Sequence, residues 1–197
     1  MNKLLLSIIT ITTTLFGDIT RHDIEVNSKK YQNQLINKDK VSYSRFRELT
    51  TKYTSEQITG FQEEIARDMN IPIPVHKSII GVENGSKYPY VMNCNNNIQP
   101  YSKDIMKNYM NYVNCSKNVD MGYSQVNYMI WNKRLNFTQE DLLDPKKNLE
   151  ISMKILKMNY SGNWIRAIGH YHSYTPIHFN RYVKLAVIHL RHELKKS

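Results

Sequence analysis

From Thr54 onward the apolar residues recur at helical spacing, and period-two alternation is nearly absent. Ile58, Phe61, Ile65 and Met69 lie on one helical stripe, and Thr54 with Gln57 has the form of a capping box. Ile71-Pro72-Ile73-Pro74 interrupts that stripe. Pro74 suits the first turn of a following helix whose shared face carries Val75, Ile79, Ile80 and Glu83, and which Asn84-Gly85 stops. A third helix is expected from Lys103 to Val113, capped by Ser102. Thr138-Gln139-Glu140-Asp141 opens a short helical turn. Asp144-Pro145 opens a longer helix with the stripe Leu149, Met153, Leu156 and Tyr160, closed by Gly162. Trp164, Ala167, Ile168 and Tyr171 mark another helix. Phe179, Tyr182, Val183, Ala186 and Leu190 mark the last, which ends in Arg191, His192, Lys195 and Lys196, cations that suit a helix C-terminus. Helices joined by short connections predict an all-α domain over residues 54–197. Residues 18–53, polar and weakly periodic, are expected to form a peripheral N-terminal segment.

The start of the chain departs from this pattern. Met1-Asn2-Lys3 is short and basic, Leu4 to Phe16 is apolar and Thr-rich, and Gly17-Asp18 supplies a small residue and then polar sequence. This order predicts a secretory signal peptide over residues 1–17, hence an exported, periplasmic protein; the alternative is an uncleaved N-terminal anchor. No cysteine adjoins the cleavage point, which argues against a lipoprotein. The length of 197 residues suits one domain and an appendage, and 41% hydrophobic with 22% charged residues excludes wholesale disorder and a multi-span membrane protein.

A formal net charge of +10 favours polyanionic surroundings: nucleic acid, anionic membrane or an acidic wall polymer. Export counts against nucleic acid as a partner. Export also bears on the two cysteines, Cys94 and Cys115. An oxidising compartment would let them pair, with a gain of about 3 kcal/mol by chain entropy; two unpaired thiols are the alternative.

Glu83 carries the candidate chemistry. It shares a helix face with Val75, Ile79 and Ile80, so burial disfavours its charge. It also sits in the last turn, where unsatisfied carbonyls carry partial negative charge. Both effects raise its pKa, as a general acid for glycosidic cleavage requires. The alternative is an exposed last-turn residue. His170 and His172, with His178 nearby, suggest a metal, but two residues two apart on a helix do not face one another and no acidic or Cys ligand lies beside them, so no metal and no cofactor is expected. His189 and His192 read as a solvated cationic face.

Several segments add a family resemblance. Ser78-Ile79-Ile80-Gly81-Val82-Glu83-Asn84-Gly85 resembles the AI..ES helix end of the lytic transglycosylase catalytic domain, a goose-lysozyme-like fold. Asp120-Met121-Gly122-Tyr123-Ser124-Gln125-Val126-Asn127 resembles that family's D-x-G-L-M-Q-I-N segment. Leu143-Asp144-Pro145 through Leu149 resembles L-x-D-P-x-x-N-I, Ala167 to Ser173 resembles A-[IV]-x-x-Y-N-A, and Tyr182-Val183 resembles the closing Y-[VI] helix. The resemblance runs from Phe61 to Leu190 and is closest to small exported members that accompany type IV and type III secretion machines. Asn84 stands where the family has Ser, Tyr123-Ser124 where it has Leu-Met, and His172 where it has Asn.

The resemblance implies a lysozyme-like helical domain with a catalytic cleft. It also implies cleavage of the β-1,4 bond between N-acetylmuramic acid and N-acetylglucosamine without water, leaving 1,6-anhydro ends. Glu83 would act as acid and then base. Asn84, Ser124, Gln125, Tyr171, His172 and Tyr182 would contact substrate, with Tyr171 orienting Glu83. For Gln125 a structural hydrogen bond is the alternative, for Tyr171 and Tyr182 core packing. Gly122 serves a tight turn or a close backbone approach to glycan. The partners implied are peptidoglycan strands and components of a secretion system. The alternative function is a glycan-binding assembly protein with weak or lost turnover.

Overall fold

The computed structural model describes residues 40–83, 92–94, 97–99 and 103–196. The expected signal peptide and Asn84 lie outside them. Among the described residues the order is α1 (Tyr43–Thr51), α2 (Ser55–Asp68), α3 (Ile73–Glu83), β1 (Met92–Cys94), β2 (Asn97–Gln99), α4 (Ile105–Asn114), β3 (Val119–Met121), β4 (Val126–Asn127), α5 (Tyr128–Leu135), α6 (Gln139–Leu143), α7 (Pro145–Met158), α8 (Trp164–His172) and α9 (Pro176–Leu194). The chain is mainly helical, and no described helix is long and apolar enough to cross a membrane.

Local chemistry sets the helix starts. Thr54 accepts from the Gln57 amide, and the Gln57 side chain accepts from the Thr54 amide at 2.9 Å, so the expected capping box is present at α2. Thr138 and Asp141 form a second box at α6. Asp144 caps α7 by accepting from the amides of Lys146 and Lys147, with Pro145 in the first turn, where its missing N–H costs nothing. α4 departs from expectation: Asp104, not Ser102, caps it, by accepting from the Met106 amide at 2.9 Å. α7 ends at Met158, before Gly162, and Tyr160 leaves the stripe to stack on Trp164 at 4.0 Å.

Three features depart from the sequence reading. The compact unit begins at Lys40, not at residue 54. The cause is α1, whose Phe46 and Leu49 are buried, with Phe46 stacked on Tyr112 of α4 at 5.4 Å. An otherwise polar stretch with one buried apolar pair gives almost no periodic signal, yet that pair anchors it. The second feature is a small antiparallel sheet in the order β2-β1-β3-β4, with Met92 opposite Met121 and Met121 opposite Val126. The third is α5, which buries only Tyr128 and Trp131 and is capped by Asn127.

The core is built round α7, whose Leu149, Met153, Ile155 and Leu156 are fully buried. α2 packs against it, and a polar seam joins three helices there. His76 of α3 is bonded to Gln62 of α2 at 2.9 Å and to Ser152 of α7 at 2.8 Å. Burial pushes the His76 pKa down to about 3, so the seam is neutral near pH 7. α9 makes its most extensive packing against α3 and also lies on α8. The close approaches fall at glycines: a Cβ on Gly81 would meet His189 Nδ1 at 2.5 Å, and one on Gly169 would overlap the Phe179 ring. Cys94 and Cys115 are joined as a disulfide with their Cα atoms 5.5 Å apart, tying β1 to the end of α4.

Candidate active site

Glu83 ends α3 beneath α9. Its side chain is partly exposed, toward a cavity of about 790 Å³ that it lines together with Asp120, Gln125, Tyr171, His172 and Tyr182. The Tyr182 hydroxyl donates to Glu83 Oε1 at 2.7 Å. Desolvation raises the Glu83 pKa to about 8, and nearby Asp120 adds to the rise. The Tyr182 hydrogen bond opposes both, because it favours the charged form. At neutral pH Glu83 therefore carries a proton. Burial likewise raises the Asp120 pKa, against a hydrogen bond from Asn127 Nδ2 at 2.8 Å.

The second wall is the turn between β3 and β4. Gly122 has φ +76°, and a Cβ there would overlap the Asn148 amide and come within 2.8 Å of the Leu142 carbonyl oxygen. The close approach of Gly122 is thus to protein, and the tight-turn reading is the one it satisfies. Asn148, wholly buried, accepts from the Ser124 amide at 3.0 Å and donates to Met121 O at 2.9 Å and Leu142 O at 3.3 Å. The turn so held puts Gln125 in the left-handed region, at φ +46°, with its Nε2 donating to Gly122 O at 2.8 Å. A left-handed non-glycine residue costs about 1–2 kcal/mol. Here the cost falls on a side chain that lines the cavity.

Two expected roles change. Tyr171 was expected to orient Glu83, but its hydroxyl donates to Ser124 O at 2.7 Å, and Tyr182 makes the bond to the carboxyl. The longer reach of α9 over α3 brings Tyr182 there. Tyr171 instead braces the turn and also lines the cavity. Ser124 was expected to contact substrate, yet it is fully buried and is not among the described residues that line the cavity. Its main chain is held from both sides by Asn148 and Tyr171, which turns its side chain into the interior, where Ser124 Oγ has no hydrogen-bond partner. Asn84 lies outside the described residues.

His172 stacks flat on Tyr182, with ring centroids 4.5 Å apart and planes 5° apart. Desolvation, then His178 and Arg181, lower its pKa, so it is neutral at pH 7. His170 stacks on Tyr174 at 4.6 Å, so the two histidines of the His-x-His pair have separate surroundings. Sequence reasoning omitted Arg181, Ile130 and Trp131 and weighed His178 only as a metal ligand, yet all four line the cavity. Arg181 directly precedes Tyr182 in α9, and that adjacency was the one available signal. Asp120 and Asn127 were visible as ends of the D-x-G segment, without a role.

No protein-family model matches the chain, and no curated protein or solved structure is significantly similar to it. The functional reading therefore rests on the site's own chemistry and on the motif resemblance.

Proposed function

We propose that the chain is an exported lytic transglycosylase, with a lysozyme-like helical domain whose cavity is the catalytic cleft. The observation that carries this reading is a carboxyl group with pKa near 8, hydrogen-bonded by a buried tyrosine and opening on a cavity of about 790 Å³. A neutral carboxylic acid opening on a cleft is what protonation of a glycosidic oxygen needs.

Hydrolytic glycosidases need a second carboxylate as nucleophile or base. The other carboxyl lining this cavity among the described residues is Asp120, and burial works against its ionisation. A one-carboxyl scheme fits better. Glu83 gives its proton to the bridging oxygen as the bond from muramyl C1 breaks, releasing the N-acetylglucosamine hydroxyl. The muramyl acetamido oxygen stabilises the cation that develops at C1. The Glu83 carboxylate, steadied by the Tyr182 hydroxyl, then removes the C6 hydroxyl proton as O6 bonds to C1. No water is consumed, and Glu83 ends protonated. Gln125, held by its turn, offers amide hydrogen-bonding groups to the sugars.

Under the same reading the protein acts in the periplasm and opens the wall for a secretion or conjugation apparatus. The Cys94–Cys115 disulfide supports an oxidising compartment. The test is mass analysis of the products released from purified sacculi. Anhydro-ended muropeptides support the reading and reducing ends refute it. Retained sacculus binding without products points instead to a glycan-binding assembly protein.

A further inference from the structure

The cavity lining carries groups of both charge types. Glu83 and Asp120 both line it, and Asp120 adds to the rise in the Glu83 pKa. His172, His178 and Arg181 line it too, from the end of α8 and the first turns of α9. Arg181 is the one permanent cation among the described residues that line the cavity. Neither carboxyl is stabilised by it: the influences on Glu83 and on Asp120 include no cation, whereas Arg181 does act on His172. No described hydrogen bond or ion pair engages the Arg181 guanidinium. A neutral sugar hydroxyl would be met equally well by an uncharged donor. A guanidinium fork left open on a cavity wall matches a planar carboxylate, which it can bind through two parallel N–H···O bonds.

Resting on the reading of Glu83 as a transglycosylase acid, we infer that Arg181, with His178 beside it, forms a subsite for a carboxylate carried on the 3-O-lactyl arm of the muramyl residue. Two sources share that chemistry: the lactyl carboxylate of a peptide-free strand, and the carboxylates of a stem peptide attached through the lactyl group.

The experiment uses alternating N-acetylglucosamine–N-acetylmuramic acid oligomers in three preparations: free lactyl carboxylates, lactyl methylamides, and intact stem peptides. The full-length protein should show kcat/KM about tenfold higher on a carboxylate-bearing preparation than on the methylamide. An advantage for the free-lactyl form names the lactyl source, and an advantage for the peptide form alone names the stem peptide. Arg181→Ala should erase the preference, and Arg181→Lys should retain part of it. Arg181 is exposed, and circular dichroism of each variant checks that the fold is kept. Equal rates on all three preparations, or a preference unchanged in Arg181→Ala, overturn the subsite. Calorimetric binding of the same oligomers needs no turnover. Absence of anhydro products alongside an Arg181-dependent preference in binding would remove the catalytic reading and leave the subsite standing; absence of any preference in binding would remove the subsite.

Discussion

Tyr182 donates its phenolic hydrogen to Glu83 Oε1 at 2.7 Å, joining the middle of α9 to the end of α3 across 99 residues. The bond stabilises the carboxylate form, and burial opposes that form more strongly. The balance leaves Glu83 protonated in neutral solution while keeping its anion accessible, which suits a group that must act as acid and then as base.

Replacing Glu83 by Gln removes the proton donor while keeping a similar shape and a hydrogen-bond acceptor for Tyr182. Release of anhydro-muropeptides should fall by about 10²–10⁴-fold or more, the range expected for loss of a general acid. Circular dichroism should be unchanged. Undiminished release takes Glu83 out of the chemistry.

The same substitution bears on stability against pH. The Glu83 pKa is raised by folding, from 4.5 to about 8. Its contribution is therefore fully present below pH 4.5, and is lost as pH rises toward and through pH 8, because the unfolded chain ionises first. Glu83→Gln abolishes this loss and should stabilise the protein above pH 7 by roughly 1–3 kcal/mol, allowing for the group's partial exposure. Denaturant melts of both proteins at pH 4 and pH 8 read this directly, and parallel curves would contradict it. The activity of the unsubstituted protein should decline on the alkaline side with an apparent pKa near 8.

Tyr182→Phe deletes the bond that favours ionised Glu83. The alkaline limb of the pH–rate profile should move upward, since the carboxyl then holds its proton more firmly. An unmoved limb, with the mutant folded, means that Tyr182 only packs.

Asn148→Ala strips two hydrogen bonds from the β3–β4 segment and one from the end of α6, and leaves buried backbone groups without partners. The expected cost is about 3 kcal/mol in chemical denaturation. A loss under 1 kcal/mol would mean that the turn holds its shape by itself.

Reduction of the Cys94–Cys115 bond opens a link that spans 21 positions and should lower stability by about 3 kcal/mol. Thermal melts with and without reductant, at pH values that leave other groups unchanged, measure it.

Much of the helical frame was legible because each signal was local. The Thr54–Gln57 box, Asp144-Pro145 and the stripe through Leu149, Met153 and Leu156 act over three or four residues, and the structure realises each of them. α1 was illegible because its two buried apolar residues, Phe46 and Leu49, do not make a period. The strands were illegible because each is two or three residues long and gains its pairing from distant chain.

For the site, the candidate residues could be read but not their contacts. Glu83, Gln125, Tyr171, His172 and Tyr182 were nominated from sequence and all line one cavity, whereas Ser124, nominated beside Gln125, turns inward. Which tyrosine meets Glu83 depended on how α9 lies over α3, a packing allowed by the absence of a side chain at Gly81. The sequence by itself determined the helices other than α1 and α5, the buried tendency of Glu83 and the residue types available to the site, because capping, periodicity and composition are short-range properties. Only the tertiary structure decided the pairing of Tyr182 with Glu83, the bracing of the turn by Tyr171 and Asn148, and the placement of Arg181 on the cavity wall, because hydrogen bonding and desolvation depend on groups brought together from far along the chain.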